Sequence, residues 1–278
     1  MVSVPSLDFE DYLSGGDRRA ASCAAFVYSL SASGFVKIRN HELGQKSIDD
    51  AFAWAKPEIL RPACGGQTKG KTPSTIESAQ RLQSALHELK EAWDQGAPDD
   101  PENDNLWPDR TDIPGFQDFM EDFFEKSHKT LLTLLRALTV DLGLEEMHFE
   151  DRLTTRVYEL RLIHYPPTDP RVLEDATMTR ALNHTDFGLL TLLWQDSMGG
   201  LEIEEQNNFE VFCPVIIENK EMIVNIGDSL MRWTNGQLNA DVYRIVLPQL
   251  KSAIGEPAML PGRRSIVFLW KIRPGWFC

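Results

Sequence analysis

His184 and Asp186 stand one residue apart in the stretch NHTDFG, residues 183–188. Side chains two apart on a strand share a face. An imidazole nitrogen and a carboxylate oxygen can therefore converge on one cation, and His-x-Asp commonly supplies two of three ligands to ferrous iron. Alone the pair is a weak signal, because it is frequent by chance. Its surroundings strengthen it. In RRSIVFLW, Arg263 and Ser265 are also two apart, a guanidinium fork beside a hydroxyl, which together can grip a carboxylate. In RLIHYPP, Tyr165 falls at a strand end, where its hydroxyl can reach the same carboxylate. A cation beside a buried arginine is a poor pairing unless an anion bridges them. A small diacid, chelating the metal at one end and meeting the guanidinium at the other, reconciles the two.

These residues need elements to hold them. Residues 17–33 are Ala-rich with apolar residues at helical spacing, and GFVKI after them reads as an edge strand. Residues 56–71 read as a surface loop, 75–90 as a polar helix and 97–109 as an acidic, Pro-punctuated loop. The strongest helix is 115–143, where Phe116, Phe119, Met120, Phe123, Phe124, Leu131, Leu135 and Leu138 form one stripe and Gly143 is the stop. Beyond about residue 155 the texture changes. RVYELRLIHY, LLTLLW, EMIVNIGD, DVYRIVLP and RRSIVFLW are short β-rich runs separated by turn signals, the pattern of an antiparallel sandwich or barrel. The expected layout is α+β, with a mostly helical region over 1–150 and a β unit over 151–278, packed as one compact body. Trp194, Phe268 and Trp270 read as packing residues. Phe187, Met231, Trp233, the 56–71 loop and, as an alternative to packing, Trp194 are candidate pocket lining, and Asn225 in VNIGD either points toward the metal or, as the plainer account, stabilises its turn.

Composition narrows the classes. With 42 acidic and 28 basic residues the net charge is -14, which argues against nucleic acid and against anionic membranes as partners. Cys23, Cys64, Cys213 and Cys278 have no short spacing, so neither a CxxC site nor a disulfide framework is expected. The first residues lack a secretion signal's basic and apolar regions, and no apolar run reaches spanning length. A cytoplasmic setting and a monomer are expected.

Nearly end to end, the chain resembles the isopenicillin N synthase-like family of Fe(II)/2-oxoglutarate-dependent dioxygenases. The resemblance is carried by VPSLDFEDYLSG, GFVKIRNHEL, KEAWDQG (90–96), NLWP (105–108), PGF (114–116), RLIHYPP, NHTDFGLLTLLWQD, GGLEI, VNIGD, RWTNG and RRS, in family order. It implies a distorted double-stranded β-helix (jelly-roll) core with a helical N-terminal portion. It also implies Fe(II) on two histidines and a carboxylate, 2-oxoglutarate as co-substrate, and oxidation of a small organic molecule in specialised metabolism. By matching positions, His184 and Asp186 would be metal ligands, and Arg263, Ser265 and Tyr165 would hold the co-substrate.

One element of the pattern is missing. The family's distal ligand lies in a pattern resembling S-x-x-H-R-V after an N-G turn. Here TNGQLNADVYRIVLP keeps the turn, Arg244 and Ile245 but puts Tyr243 at the ligand position. No histidine lies C-terminal to His184, and His164 should point away from Tyr165's side. Tyr243 could itself be a ligand as a phenolate, from an unperturbed pKa near ~10, with Asp241 a rarer candidate. Alternatively, His184 and Asp186 hold the metal alone. The third reading is that oxidative chemistry is lost. The pocket would then serve a metal-independent isomerase, dehydratase or cyclase with Tyr243 as a general acid, or the chain would be the silent partner of an active relative.

Overall fold

The computed structural model describes residues 4–55, 87–88, 90–100, 104–150, 157–171, 178–206, 208–218, 221–246 and 259–270. Its centre is a seven-stranded sheet ordered β1 (Ser6–Asp8), β2 (Phe35–Arg39), β11 (Met222–Ile226), β8 (Leu190–Gln195), β13 (Arg263–Trp270), β5 (Tyr158–Tyr165) and β4 (Glu91–Gly96). A four-stranded sheet runs β10 (Asn208–Pro214), β9 (Leu201–Glu205), β12 (Tyr243–Ile245) and β7 (Ala181–His184). The short pair β3 (His87–Glu88) and β6 (Met178–Thr179) is parallel.

Strand β8 shows why LLTLLW is an unbroken apolar run: the large sheet is covered on both faces. Leu190, Leu192 and Trp194 point to one side, where they join a core built with the helices. That core includes Phe26 and Leu30 of the helix Gly16–Ser33, and Phe116, Met120, Phe123, Phe124, Leu131, Leu135 and Leu138 of a 26-residue helix, Phe116–Asp141. Leu193 points the other way, into a second cluster. There Phe35, Ile163, Tyr165 and Ile223 of the large sheet meet Ala181, Leu201, Ile203 and Ile245 of the small one. Each such side chain contributes roughly 1.5–3 kcal/mol on burial, so both faces of the large sheet are firmly held.

The expected helix over 17–33, the strand after it and the long helix are all present. Gly34 ends the first of these helices at φ +62°, a left-handed conformation suited to glycine. A Cβ there would also meet the Asn239 carbonyl oxygen at 2.6 Å. The 56–71 loop lies outside the described residues. Of 75–90, only residues 87, 88 and 90 are described, and His87–Glu88 pair as a strand rather than continuing a helix. Strands from both sides of residue 150 share the large sheet, and KEAWDQG forms its edge with Glu91 opposite His164. No helix among the described residues is long and apolar enough to cross a membrane.

Candidate functional site

The predicted residues gather between the two sheets, though not quite as the spacing suggested. His184 ends β7, but Asp186 lies in the turn after it, so the two do not share one pleat. Close backbone packing bends the chain there. A Cβ on Gly188 would lie 1.7 Å from the Trp270 carbonyl oxygen, and one on Gly227 would lie 2.3 Å from the Gly188 carbonyl oxygen. The VNIGD segment then latches the turn. The Asp228 N–H donates to the Asp186 carbonyl at 2.7 Å, the Gly227 N–H to Leu189 at 2.9 Å, and Ser229 Oγ to Phe187 at 2.6 Å.

The latch turns the Asp186 carboxylate toward three donors. Thr191 Oγ1 donates to Oδ2 at 2.6 Å and Asn225 Nδ2 donates to the same oxygen at 2.7 Å. Tyr243 Oη donates to Oδ1 at 3.0 Å. Tyr243 is also the cross-strand partner of His184, with ring centroids 4.3 Å apart. Burial raises the phenol's pKa well above its ordinary value, and the Asp186 charge and hydrogen bond push it the same way. Asp241 stands apart from the group. Tyr243 is the first residue of β12, so no shared strand face links the two, and Asp241 accepts from Gln206 Nε2 at 3.2 and 3.4 Å. Burial pushes its carboxyl up to about 6.

At the other end Arg263 is fully buried. Its Nε donates to the Gly199 carbonyl at 2.8 Å, its Nη2 to Gln195 Oε1 at 2.7 Å, and its Nη1 to Ser265 Oγ. Its Cζ lies 5.2 Å from the ring centre of Tyr165, its cross-strand neighbour. These three hydrogen-bond acceptors are neutral, and burial pushes the guanidinium's pKa down. His164 points away as expected, its Nδ1 2.9 Å from Glu91 Oε2.

Strand β8 ties the two ends together. Thr191, which holds Asp186, and Gln195, which holds Arg263, sit four residues apart on one face, a separation of roughly 13 Å. That span suits two gripping side chains with a short diacid between them. Thr191, Gln195 and Arg180 escaped the sequence reading. A threonine in LLTLLW looks like a strand former and a glutamine at the run's end looks like its boundary, so only cross-strand neighbours reveal their roles. Among the candidate lining residues, Phe187 and Trp233 are exposed and Met231 packs partly against the core. Trp194, Phe268 and Trp270 are buried packing residues.

The donor chemistry can be tested against a divalent cation. His184 offers an imidazole nitrogen and Asp186 carboxylate oxygens, donor types that suit one. Among the described residues no three His, Cys, Asp or Glu side chains gather into a metal cluster.

Residues 157–268 match the family model described as the 2OG-Fe(II) oxygenase superfamily. The chain is 35% identical to 2-oxoglutarate-dependent dioxygenase frbA of Dothideomycetidae sp. (strain 11243), across 97% of this chain and 86% of that protein. It is 36% identical to 2-oxoglutarate-dependent dioxygenase htyE of Aspergillus rugulosus, across 97% and 88%. Among solved structures it is similar to a full-length Neurospora crassa protein crystallised in complex with alpha-KG, with a TM-score of 0.82 and 27% identity over 96% of this chain and 85% of that one. The chain belongs to the 2OG-Fe(II) oxygenase superfamily, oxidoreductases that use Fe(II) and 2-oxoglutarate.

Proposed function

We propose that the protein is a 2-oxoglutarate-dependent dioxygenase of the isopenicillin N synthase-like branch, acting on a small organic molecule at a metal centre with two protein ligands. The observation that carries this reading is β8, one face of which serves both Asp186 and Arg263. The order of motifs along the chain supports the branch, and the pairing of a seven-stranded with a four-stranded sheet is compatible with a distorted double-stranded β-helix.

In this proposal His184 and Asp186 hold Fe(II), which when bound supplies oxygen activation coupled to decarboxylation of 2-oxoglutarate. The remaining roles belong to the chain itself. Arg263, with Ser265 and Tyr165, binds the co-substrate's far carboxylate in a water-poor pocket, where a charge-assisted hydrogen bond is strong. Gln195 and the Gly199 carbonyl fix the guanidinium's orientation. Thr191 and Asn225 hold one oxygen of Asp186 and so direct the carboxylate.

Tyr243 donates to the other oxygen and positions it. Burial and the Asp186 charge both raise the phenol's pKa, so a phenolate ligand would form only where the charge of a bound cation outweighs them. The same two effects make Tyr243 a poor general acid near neutrality, which disfavours the metal-independent reading.

The test has two parts. Full-length protein loaded anaerobically with Fe(II) should bind 2-oxoglutarate and release succinate on exposure to oxygen with a turning-over substrate. Absence of both iron and 2-oxoglutarate binding would end the proposal. After oxidation of the iron, a visible tyrosinate charge-transfer band would make Tyr243 a ligand; no such band is expected.

A further inference from the structure

A second guanidinium sits beside the first. Arg180 lies at the bend between β6 and β7, four residues before His184, and is 2% exposed. Its Nη2 donates to the Pro261 carbonyl at 3.0 Å, two residues before Arg263. Its Nε and Nη1 are buried and have no hydrogen-bond partner. Burial pushes its pKa down, and the neighbouring Arg263 charge pushes it further the same way. The Asp196 charge offsets both cations in part from a distance, but its oxygens are committed elsewhere. Its Oδ1 accepts from the Met198 N–H at 3.1 Å and its Oδ2 from the Arg264 N–H at 2.6 Å.

Two desolvated like charges with neutral hydrogen-bond partners are a costly arrangement. An unpaired buried ion costs several kcal/mol, and a second cation nearby adds repulsion. An anion placed between them would relieve both. It would accept from an open donor of Arg180 and offset both charges at once.

We infer that Arg180 and Arg263 form a paired clamp for one carboxylate of a dicarboxylic acid, and that the clamp binds the acid with or without a metal at His184 and Asp186. This rests on the proposal that the Arg263 end receives 2-oxoglutarate. It goes further by adding Arg180, and by making co-substrate binding independent of chelation in a chain whose third metal ligand is gone. The open donors of Arg180 are what the clamp requires, since an arginine placed for structure alone would have its donors filled by the protein.

The experiment is calorimetric titration of the full-length protein, stripped of metal and kept in chelator, with 2-oxoglutarate and with succinate. Both acids are expected to bind. Arg180→Met should weaken each by roughly tenfold or more, and should raise the ligand-free melting temperature by roughly 2–4 °C because an unpaired buried charge is removed. Arg180→Lys, which keeps the charge but not the fork, should lose less affinity than Arg180→Met, and it serves as the test variant if the methionine protein does not fold. Unchanged affinity in both variants would overturn the clamp. So would binding by the wild type only after Fe(II) is added, an outcome that leaves the co-substrate proposal intact. No 2-oxoglutarate binding with or without Fe(II) would overturn the co-substrate proposal, and the clamp with it.

Discussion

The two ends of the pocket are built on opposite principles. At the His184 end the key carboxylate is satisfied by the protein itself: Thr191, Asn225 and Tyr243 already donate to both oxygens of Asp186. At the Arg263 end the protein leaves a deficit, with two buried guanidiniums whose hydrogen bonds go only to neutral oxygens. The first end is largely satisfied without a ligand and keeps one acceptor site on Oδ1 for a cation. The second is strained until an anion arrives. The contrast implies that the co-substrate's far carboxylate is the stronger anchor and the metal the weaker one.

The most drastic way to break this comparison is to spoil the frame that both ends share. Gly188 belongs to the Asp186 turn, yet its backbone presses on Trp270 of β13, the strand that begins with Arg263. A methyl group there has no room unless one of the two backbone segments shifts. Gly188→Ala is expected to cost about 3 kcal/mol or more in chemical denaturation, with iron and 2-oxoglutarate binding lost together. A variant of wild-type stability, or one that loses binding at one end only, would show the ends to be mechanically separate.

Next in size is a pair of variants that separates the ends. Arg263→Met should weaken 2-oxoglutarate binding roughly hundredfold, about 3 kcal/mol, while iron binding persists. His184→Ala should do the reverse, removing iron while leaving 2-oxoglutarate bound in chelator. Parallel equilibrium dialysis of iron and 2-oxoglutarate reads both. If His184→Ala also abolishes 2-oxoglutarate binding, the anion end is not the stronger anchor.

Tyr243, packed against His184 and bonded to Asp186, gives the third test. Tyr243→Phe deletes one of three hydrogen bonds to Asp186 and should cost about 1 kcal/mol of stability. It frees Oδ1, so iron affinity should hold or rise, whereas a ligand tyrosine would make it fall. Tyr243→His should raise iron affinity roughly tenfold or more, adding a second nitrogen donor, and so a third ligand, where the chain now offers a phenol. Metal titration under anaerobic conditions decides between these outcomes.

Which parts of this arrangement were legible in the sequence follows from the range of the forces involved. Periodicity exposed the long helix, because the stripe from Phe116 to Leu138 is a local pattern. Spacing of two exposed Arg263 and Ser265, which are truly on one strand. It misled at His184 and Asp186, because the bend between them comes from backbone contacts of Gly188 and Gly227 with distant segments. For Asn225 the sequence leaves two readings, toward the metal or into its own turn, and the amide reaches Asp186, 39 residues away in sequence, in line with the first. Arg180 carried no local signal. A single arginine in MTRALNH is unremarkable until its burial and its neighbour are known.

The smallest effect concerns an acid beside the metal end that takes no part in it. Burial pushes Asp241 up to about 6 from an ordinary value of 3.8, and the nearby Glu204 charge adds to the rise, while the Gln206 hydrogen bond works against it. A carboxyl whose pKa is raised by folding binds its proton more tightly in the native state. Its contribution is therefore fully favourable below about pH 4 and is lost as the pH climbs through 6. Above that, the charged form is held in a half-buried position at a cost of about 1–2 kcal/mol after allowance for solvent screening. Asp241→Asn should recover that amount near pH 7.5 and flatten the stability profile between pH 4 and 6, with iron and 2-oxoglutarate binding unchanged. Urea titrations across that range measure the first effect. A shift in iron affinity would instead draw Asp241 into the metal end and make that end less self-contained than its hydrogen bonds imply.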